Sequence, residues 1–155
     1  GNKIEEARIY SQLGYYLIDK NNFKAIEFLK KSLEINREIN NKNAVRVLCS
    51  SIGDVYYKVG NIKLALEYYM ESYNINKKIG NREHLIKDLF KLANIYNDAK
   101  NYQKEAELLE EALTYSIEQN DIENTYECLN RLSIAYELLG DKQKSIEGKR
   151  LLNWC

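Results

Sequence analysis

Few residues in this 155-residue chain carry side chains that catalysis could use. His84 is the single histidine, so a Ser-His-Asp or Cys-His arrangement would have to use it, and no cluster of histidines can hold a metal. Its place in the first turn of a predicted helix is typical of a hydrated surface residue. Neighbouring carboxylates, such as Glu5-Glu6 and Glu110-Glu111, lie beside lysine-bearing turns and are interpreted as solvated charge. No glycine-rich phosphate loop follows a predicted strand. We therefore expect no enzymatic activity, no cofactor and no metal.

The three cysteines, Cys49, Cys128 and Cys155, have neither the spacing of a metal site nor that of a disulfide framework. Cys49 and Cys128 fall inside apolar helical patterns and are predicted to be small core residues. Reduced thiols indicate a cytoplasmic location. The sequence contains no signal peptide, membrane-spanning run or lipidation motif, so we expect no membrane contact.

Charge and composition narrow the classes of partner. Lys and Arg together number 23, as do Asp and Glu, so the formal net charge is zero. A protein that binds nucleic acid needs a basic excess on one face, and we therefore expect no nucleic-acid partner. A hydrophobic fraction of 45% predicts a globular domain, and the absence of proline permits long helices.

The elements that position these residues follow a repeat of close to forty residues. Small residues recur at that interval at Gly14, Gly53, Ala93 and Ser133. Bulky residues stand three positions later, at Leu17, Tyr56, Tyr96 and Tyr136, and a turn rich in Asn, Gly and Asp follows each. The next segment opens with a small residue at Ala25, Ala65 and Ser145, and a bulky residue follows four positions later at Leu29 and Tyr69. The third repeat departs from this pattern, with Glu105 in the small position and Ala106 beside it.

Within each half-repeat the apolar residues are spaced by three and four, which predicts amphipathic α-helices. Eight helices are expected, at about 4–20, 23–39, 44–59, 62–79, 82–99, 102–119, 122–139 and 142–154. Asn43, Asn81 and Asp121 are predicted N-caps. Short connections make sequential helices antiparallel, and a small residue on one helix lets the bulky residue of its partner pack closely. We expect each helix pair to pack on the next in the same way.

The recurring set resembles the tetratricopeptide repeat: a Gly or Ala, then a Tyr, a Gly-Asn turn and an Ala. The resemblance is to a longer variant of about forty residues, and the segment "LEINREINNKNAVRVLCSSIGDVY" carries this extended form. HEAT and armadillo repeats also have a period near forty, but they would not explain this set. The resemblance implies an all-α fold, a right-handed superhelical solenoid of four helix-turn-helix repeats at about 4–41, 42–81, 82–120 and 121–155. We expect a single domain of residues 1–155 that is a piece of a larger protein.

The resemblance also implies that the first helix of each repeat lines a concave groove. In the first two repeats the groove positions are Ser11, Gln12, Tyr15, Ile18, Ser50, Ser51, Asp54 and Tyr57. In the last two they are Phe90, Lys91, Asn94, Asn97, Asn130, Arg131, Ile134 and Glu137. We expect nine of them to form the binding site: Tyr15, Asp54, Tyr57, Phe90, Lys91, Asn94, Asn97, Asn130 and Arg131.

An extended peptide needs partners for its backbone N–H and C=O groups, and an asparagine side chain offers both a donor and an acceptor. Asn94, Asn97 and Asn130 are predicted to form a ladder along such a peptide. Tyr57 and Phe90 would supply apolar contacts, and Arg131 would meet a carboxylate. The alternative is that these asparagines are inert surface amides.

Two functions follow from these observations. The first is an interaction module that holds a protein or peptide segment, and the groove asparagines are similar to those of bacterial peptide-pheromone receptors and related cytosolic sensor domains. The second is a structural or oligomerisation scaffold with no peptide ligand. At the end of the chain, Leu151, Leu152 and Trp154 have no following residues to cover them. We expect this edge to pack against another chain, including a second copy of this one.

Overall fold

A computed structural model describes residues 1–154, and Cys155 lies outside the described residues. Within that range the chain forms eight α-helices and no β-strand, as predicted. The helices are α1 (Lys3–Leu17), α2 (Asn22–Glu38), α3 (Lys42–Lys58), α4 (Ile62–Ile79), α5 (Arg82–Asp98), α6 (Tyr102–Glu118), α7 (Ile122–Leu138) and α8 (Lys142–Leu152). The chain divides into two compact units, which we call unit 1 (Gly1–Ile75) and unit 2 (from Asn76 onward), and the boundary falls within α4.

Asparagine and aspartate side chains start the helices by accepting hydrogen bonds from backbone N–H groups of the first turn. Asn81 and Asp121 cap α5 and α7, as predicted. The predicted cap at Asn43 is wrong, because α3 begins at Lys42 and Asn41 accepts the N–H of Ala44 at 3.2 Å. Both residues are asparagines next to an apolar helical pattern, so the sequence left the starting point uncertain by two positions.

The helices end at regular intervals on residues with positive φ. Such residues stand every twenty positions, at Asn40, Gly60, Gly80, Lys100, Asn120 and Gly140. The first of the series, Asp19, comes one position early, which matches the shorter first repeat. Glycine adopts this conformation without steric cost and asparagine tolerates it, so these residues stop the helices and turn the chain.

The predicted close packing of small and bulky residues is confirmed in unit 1. A Cβ atom added to Gly14 would lie 2.6 Å from Leu29 Cγ, and one added to Gly53 would lie 2.6 Å from the Tyr69 ring. Leu29, Cys49 and Ile52 are fully buried in the same unit. The two glycines therefore allow α1 to approach α2, and α3 to approach α4, more closely than any larger residue would.

Unit 2 packs around a core cluster that joins α5, α6 and α7. Its buried members are Ala93, Ala106, Leu109, Leu132 and Ala135. Phe90 and Tyr136 are partly buried against it. Beyond α7, a Cβ atom added to Gly148 of α8 would lie 3.2 Å from Ser133 Cβ. Among residues 1–154, no helix combines the length and apolar character needed to cross a membrane.

Candidate functional site

In unit 1, the predicted groove residues Tyr15 and Ser51 form a hydrogen bond between α1 and α3, with 3.1 Å between their hydroxyl oxygens. Tyr15 lines a cavity of about 330 Å³ whose wall also includes Ser11, Asn36 and Leu48. This volume is at the lower end of the range for small-molecule sites. We call it the upper cavity.

Ser51 lines a second opening of about 220 Å³, together with Ile18, Asp54, Val55 and Lys58. Asp54 accepts a hydrogen bond from the hydroxyl of Tyr69 at 2.6 Å, while Lys58 is paired with Asp19 at 2.6 Å. Tyr57 is partly buried on the same helix. Unit 1 therefore places Tyr15 and Asp54 beside open space.

In unit 2, a buried carboxylate binds two of the predicted groove residues. Glu105 is only 2% exposed, and its Oε2 accepts a hydrogen bond from Asn97 Nδ2 at 2.9 Å. Its Oε1 accepts from Arg131 Nη2 at 3.0 Å. The guanidinium carbon of Arg131 also lies 5.8 Å from the centre of the Phe90 ring. Each oxygen of the buried carboxylate has a partner, which is the condition for keeping a charge inside a protein.

Two predicted groove amides in unit 2 keep their hydrogen-bonding groups available. The side chains of Asn94 on α5 and Asn130 on α7 make no hydrogen bond with any residue in the described range. Asn94 is exposed, and Asn130 is partly buried, as is Lys91. The structure thus brings Asn97 and Arg131 together through Glu105, with Phe90 beside Arg131, whereas Asn94 and Asn130 stand outside that network.

Sequence reasoning missed two residues that organise these surfaces, Glu105 and Asn36. Glu105 was visible as a break in the small-residue pattern, and it proves to be fully buried. Asn36 could have been found by its repetition, because Asn76 and Ser116 stand forty and eighty positions later and all three are buried.

Two of the cysteines and the histidine, the side chains considered for catalysis, lie in positions that packing and helix capping account for. Burial raises the pKa of the Cys49 and Cys128 thiols to about 12, so neither forms a thiolate near neutral pH. The partly buried His84 places its Nδ1 3.0 Å from the Asn81 side-chain oxygen at the start of α5. No group of three or more potential metal ligands occurs within residues 1–154.

The last helix carries exposed apolar side chains. Ile146, Leu151 and Trp154 are exposed, and the Trp154 side chain reaches 81%. Leu152 is partly buried. The exposure agrees with the expected uncovered edge, and its association with another chain stays a prediction.

Known families and structures share this architecture. The sequence profile described as "Tetratricopeptide repeat" matches residues 5–78 and 46–118. A curated relative, Tetratricopeptide repeat protein 29 of Trypanosoma brucei brucei, is 24% identical over 143 residues. The match covers 92% of this chain and 30% of the relative, so the chain spans less than a third of that protein.

Two solved structures give the same fold. The apo form of RapI matches with a TM-score of 0.85 and 17% identity, over 99% of this chain and 43% of RapI. A signal transduction ATPase with numerous domains from Pyrococcus horikoshii, described as having a tetratricopeptide repeat sensor, matches with a TM-score of 0.79 and 22% identity. That match covers 98% of this chain and 24% of the ATPase.

Proposed function

The chain belongs to the tetratricopeptide repeat family, and from this premise we propose that it binds an extended peptide segment along the first helices of its repeats. The fold is that of a protein-interaction repeat module, which is generally a non-catalytic scaffold. We further propose that the module is the sensor or regulatory part of a larger bacterial signalling protein. Its structural likeness to RapI and to an ATPase with a repeat sensor supports this role at the level of the fold.

The observation that carries the peptide-binding proposal is the pair of amides on α5 and α7. Asn94 and Asn130 occupy predicted groove positions and make no side-chain hydrogen bond within the described chain. Each can donate to a peptide C=O and accept from a peptide N–H. Asn97 would act differently, because Glu105 already holds its Nδ2 and its side-chain oxygen remains to accept from a ligand.

Arg131 supports the same proposal by offering a charged contact of fixed geometry. Glu105 accepts from one nitrogen of its guanidinium, and no described residue accepts from the other two. The side chain is 18% exposed. A guanidinium held in this way retains N–H groups for a peptide carbonyl or carboxylate, at a low entropic cost on binding.

A peptide array tests the proposal with the wild type and the double variant Asn94→Ala/Asn130→Ala. Each lost hydrogen bond leaves a peptide group unpaired, so affinity should fall roughly 5–150-fold per bond. Asn74→Ala is the matched control, because Asn74 is an exposed helical asparagine on α4, outside the predicted groove positions. Peptides that bind the wild type and the double variant equally would refute a role for these amides.

An alternative function, a scaffold that associates through its last helix, is favoured by the exposed Ile146 and Trp154. Sedimentation of the wild type and the double variant Ile146→Glu/Trp154→Glu separates the two functions. A scaffold should lose self-association in this variant, whereas a peptide-binding module should keep its ligands.

A further inference from the structure

The wall of the upper cavity in unit 1 contains a side-chain acceptor that no residue in the described part of the chain uses. Asn36 is 6% exposed and lines the cavity. Its Nδ2 donates to the backbone oxygen of Ser32 at 2.8 Å and approaches Ser32 Oγ at 3.3 Å. Its Oδ1 accepts no hydrogen bond from any residue in the described part of the chain. An amide oxygen without a donor can accept a hydrogen bond from a group that enters the cavity.

The orientation of this amide is fixed by its neighbour. The carbonyl oxygen of Ser32 can only accept, so the NH₂ group of Asn36 must be the end that faces it. The hydroxyl of Ser32 is itself committed, because it donates to the backbone oxygen of Ala7 at 2.8 Å. The Asn36 oxygen is consequently available to accept from an occupant of the cavity.

In the later repeats the same position is bonded to the following helix. Asn76, forty residues on, donates from Nδ2 to Asp88 Oδ2 at 2.7 Å. Ser116, eighty residues on, accepts from Thr125 Oγ1 at 2.9 Å. In the first repeat the positions that correspond to Asp88 and Thr125 are Leu48 and Val45, which offer no polar group. In unit 1 the lack of a polar partner on the following helix therefore coincides with an open cavity.

We propose that the upper cavity binds an aromatic side chain with a hydrogen-bond donor, that of a tyrosine or tryptophan in a partner peptide, whose O–H or N–H donates to Asn36 Oδ1. The inference rests on the proposed peptide-binding function and gives it an anchor residue. The apolar wall, formed by Ile4, Ala7, Val47 and Leu48, contacts the ring. An acceptor in the cavity wall favours tyrosine over phenylalanine, because a phenylalanine ring would cover the oxygen and leave it unpaired.

A lysine or arginine fits this cavity less well. Its charge would enter a largely apolar space next to Arg8, where the remaining polar groups are neutral amides and hydroxyls and no carboxylate of the described residues lines the wall. An aliphatic side chain would fill the volume but leave Asn36 without a donor. Tyrosine and tryptophan combine an apolar ring with a polar O–H or N–H group. The cavity wall combines an apolar surface with the Asn36 oxygen, so the two match.

In the first experiment, side-chain analogues are titrated into the protein, and binding is monitored by the NMR chemical shifts of the methyl groups of Ala7, Ala44 and Leu48. We expect p-cresol and 3-methylindole to shift these signals and to bind at least about fivefold more tightly than toluene. Asn36→Leu should remove that preference. Ala44→Leu should block all three probes by filling the cavity, and the control Ala99→Leu on an exposed position in unit 2 should change nothing. Equal binding of toluene and p-cresol to the wild type would overturn the proposal.

The second experiment screens the peptide array again with Asn36→Leu. Retained peptides should share a tyrosine or tryptophan, and replacing it by phenylalanine should weaken binding roughly 5–150-fold in the wild type but not in the variant. Peptides that depend on Asn94 and Asn130 without any aromatic requirement would overturn the anchor while the proposed function stands. Binding of p-cresol at the cavity without retention of any peptide would support the donor-specific cavity and remove the function.

A second copy of the chain is the competing occupant, because Trp154 is exposed and carries an indole N–H. Sedimentation of the wild type, Trp154→Phe and Asn36→Leu decides between them. Self-association that is lost in both variants would assign the cavity to Trp154 and overturn a partner peptide. A wild type that sediments as a monomer supports the peptide.

Discussion

In unit 1 the buried amide of Asn36 ends at a cavity, whereas in unit 2 the side chains at the same repeat position, Asn76 and Ser116, are bonded to the following helix. Unit 2 also buries Glu105 between Asn97 and Arg131, where the other repeats have a small residue. The backbone period is the same in both units. The difference shows that one repeat position can be bonded to the following helix or lie beside open space, depending on whether the facing helix supplies a polar partner.

The largest effect should come from breaking the buried ion pair of unit 2. Arg131→Ala leaves the Glu105 carboxylate with Asn97 as its one remaining partner in a position that is 2% exposed. We expect the free energy of unfolding to fall by about 3–5 kcal/mol, because an uncompensated buried charge remains. Urea unfolding followed by circular dichroism measures it.

The double variant Glu105→Ala/Arg131→Met is the control for this prediction. Alanine matches Ala25 and Ala65, which occupy the corresponding positions in the first two repeats. Replacing both charges by apolar groups should therefore restore most of the stability. If Arg131→Ala lowers the free energy of unfolding by less than about 1 kcal/mol, the Glu105–Arg131 pair contributes no more than a surface ion pair. The buried ion pair would then no longer distinguish unit 2 from unit 1.

The second prediction compares glycine contacts in the two units. Gly53→Ala places a Cβ 2.6 Å from the Tyr69 ring, whose hydroxyl is held by Asp54. We expect a loss of about 1–3 kcal/mol from overpacking in unit 1. Gly148→Ala in unit 2 meets Ser133 Cβ at 3.2 Å, and the better helix propensity of alanine, about 0.5–1 kcal/mol, should offset this contact. Equal losses of unfolding free energy would show that unit 1 is not the tighter at these helix crossings.

The third prediction tests the repeat position itself. Asn76→Leu removes a donor from the buried Asp88 and should cost about 1–3 kcal/mol. Asn36→Leu removes an acceptor that has no donor and one donor to the Ser32 carbonyl on its own helix, so its unfolding free energy should stay within about 1 kcal/mol of the wild type. The midpoint of urea unfolding measures the effect of both substitutions. Equal destabilisation by the two would mean that Asn36 is as structural as Asn76.

The smallest effect concerns a property that the two units share. Cys49 in unit 1 and Cys128 in unit 2 are fully buried, and burial raises the pKa of each thiol to about 12. A pKa raised above the unfolded value of about 8.5 gives stability that is complete below that value and is lost as the pH rises towards the folded value. From pH 8 to about 9.5 the free energy of unfolding should fall by about 1 kcal/mol per thiol.

Cys49→Ala and Cys128→Ala provide the controls for the thiol effect. Each should flatten the same part of the pH profile, since burial is the main cause of the raised pKa of both thiols. An effect in one unit alone would extend the difference between the units from their polar residues to their cores.

Much of the fold could be predicted from the sequence because the pattern repeats. The interval between Gly14, Gly53, Ala93 and Ser133 gave the helix pairs, and Gly53 was correctly assigned to the close packing against Tyr69. The cap of α3 was displaced by two residues, because Asn41 and Asn43 satisfy the same local rule and only the structure distinguishes them.

The candidate site was harder to predict, since it depends on contacts between helices. The polar partner of Asn97 and Arg131 is Glu105, on the intervening helix α6, and no local pattern shows that its carboxylate turns inward. Asn36 and Asn76 are the same residue type at the same repeat position, yet their surroundings differ through Leu48 and Asp88 on the facing helices. A periodic sequence indicates which positions face each other, but satisfaction of each polar group depends on the specific pair.

The turn residues with positive φ have a consequence for how such a chain can grow by duplication. Residues 41–80 run from just after one left-handed turn residue, Asn40, to the next of the same phase, Gly80. A duplicated or deleted segment of this length joins turn to turn, so every helix keeps its stop and its cap. The early turn at Asp19 is out of phase by one residue. Exchange at that point would shift the following helix by one position and rotate its apolar face by about 100°, which makes the first helix pair the poorest place for recombination.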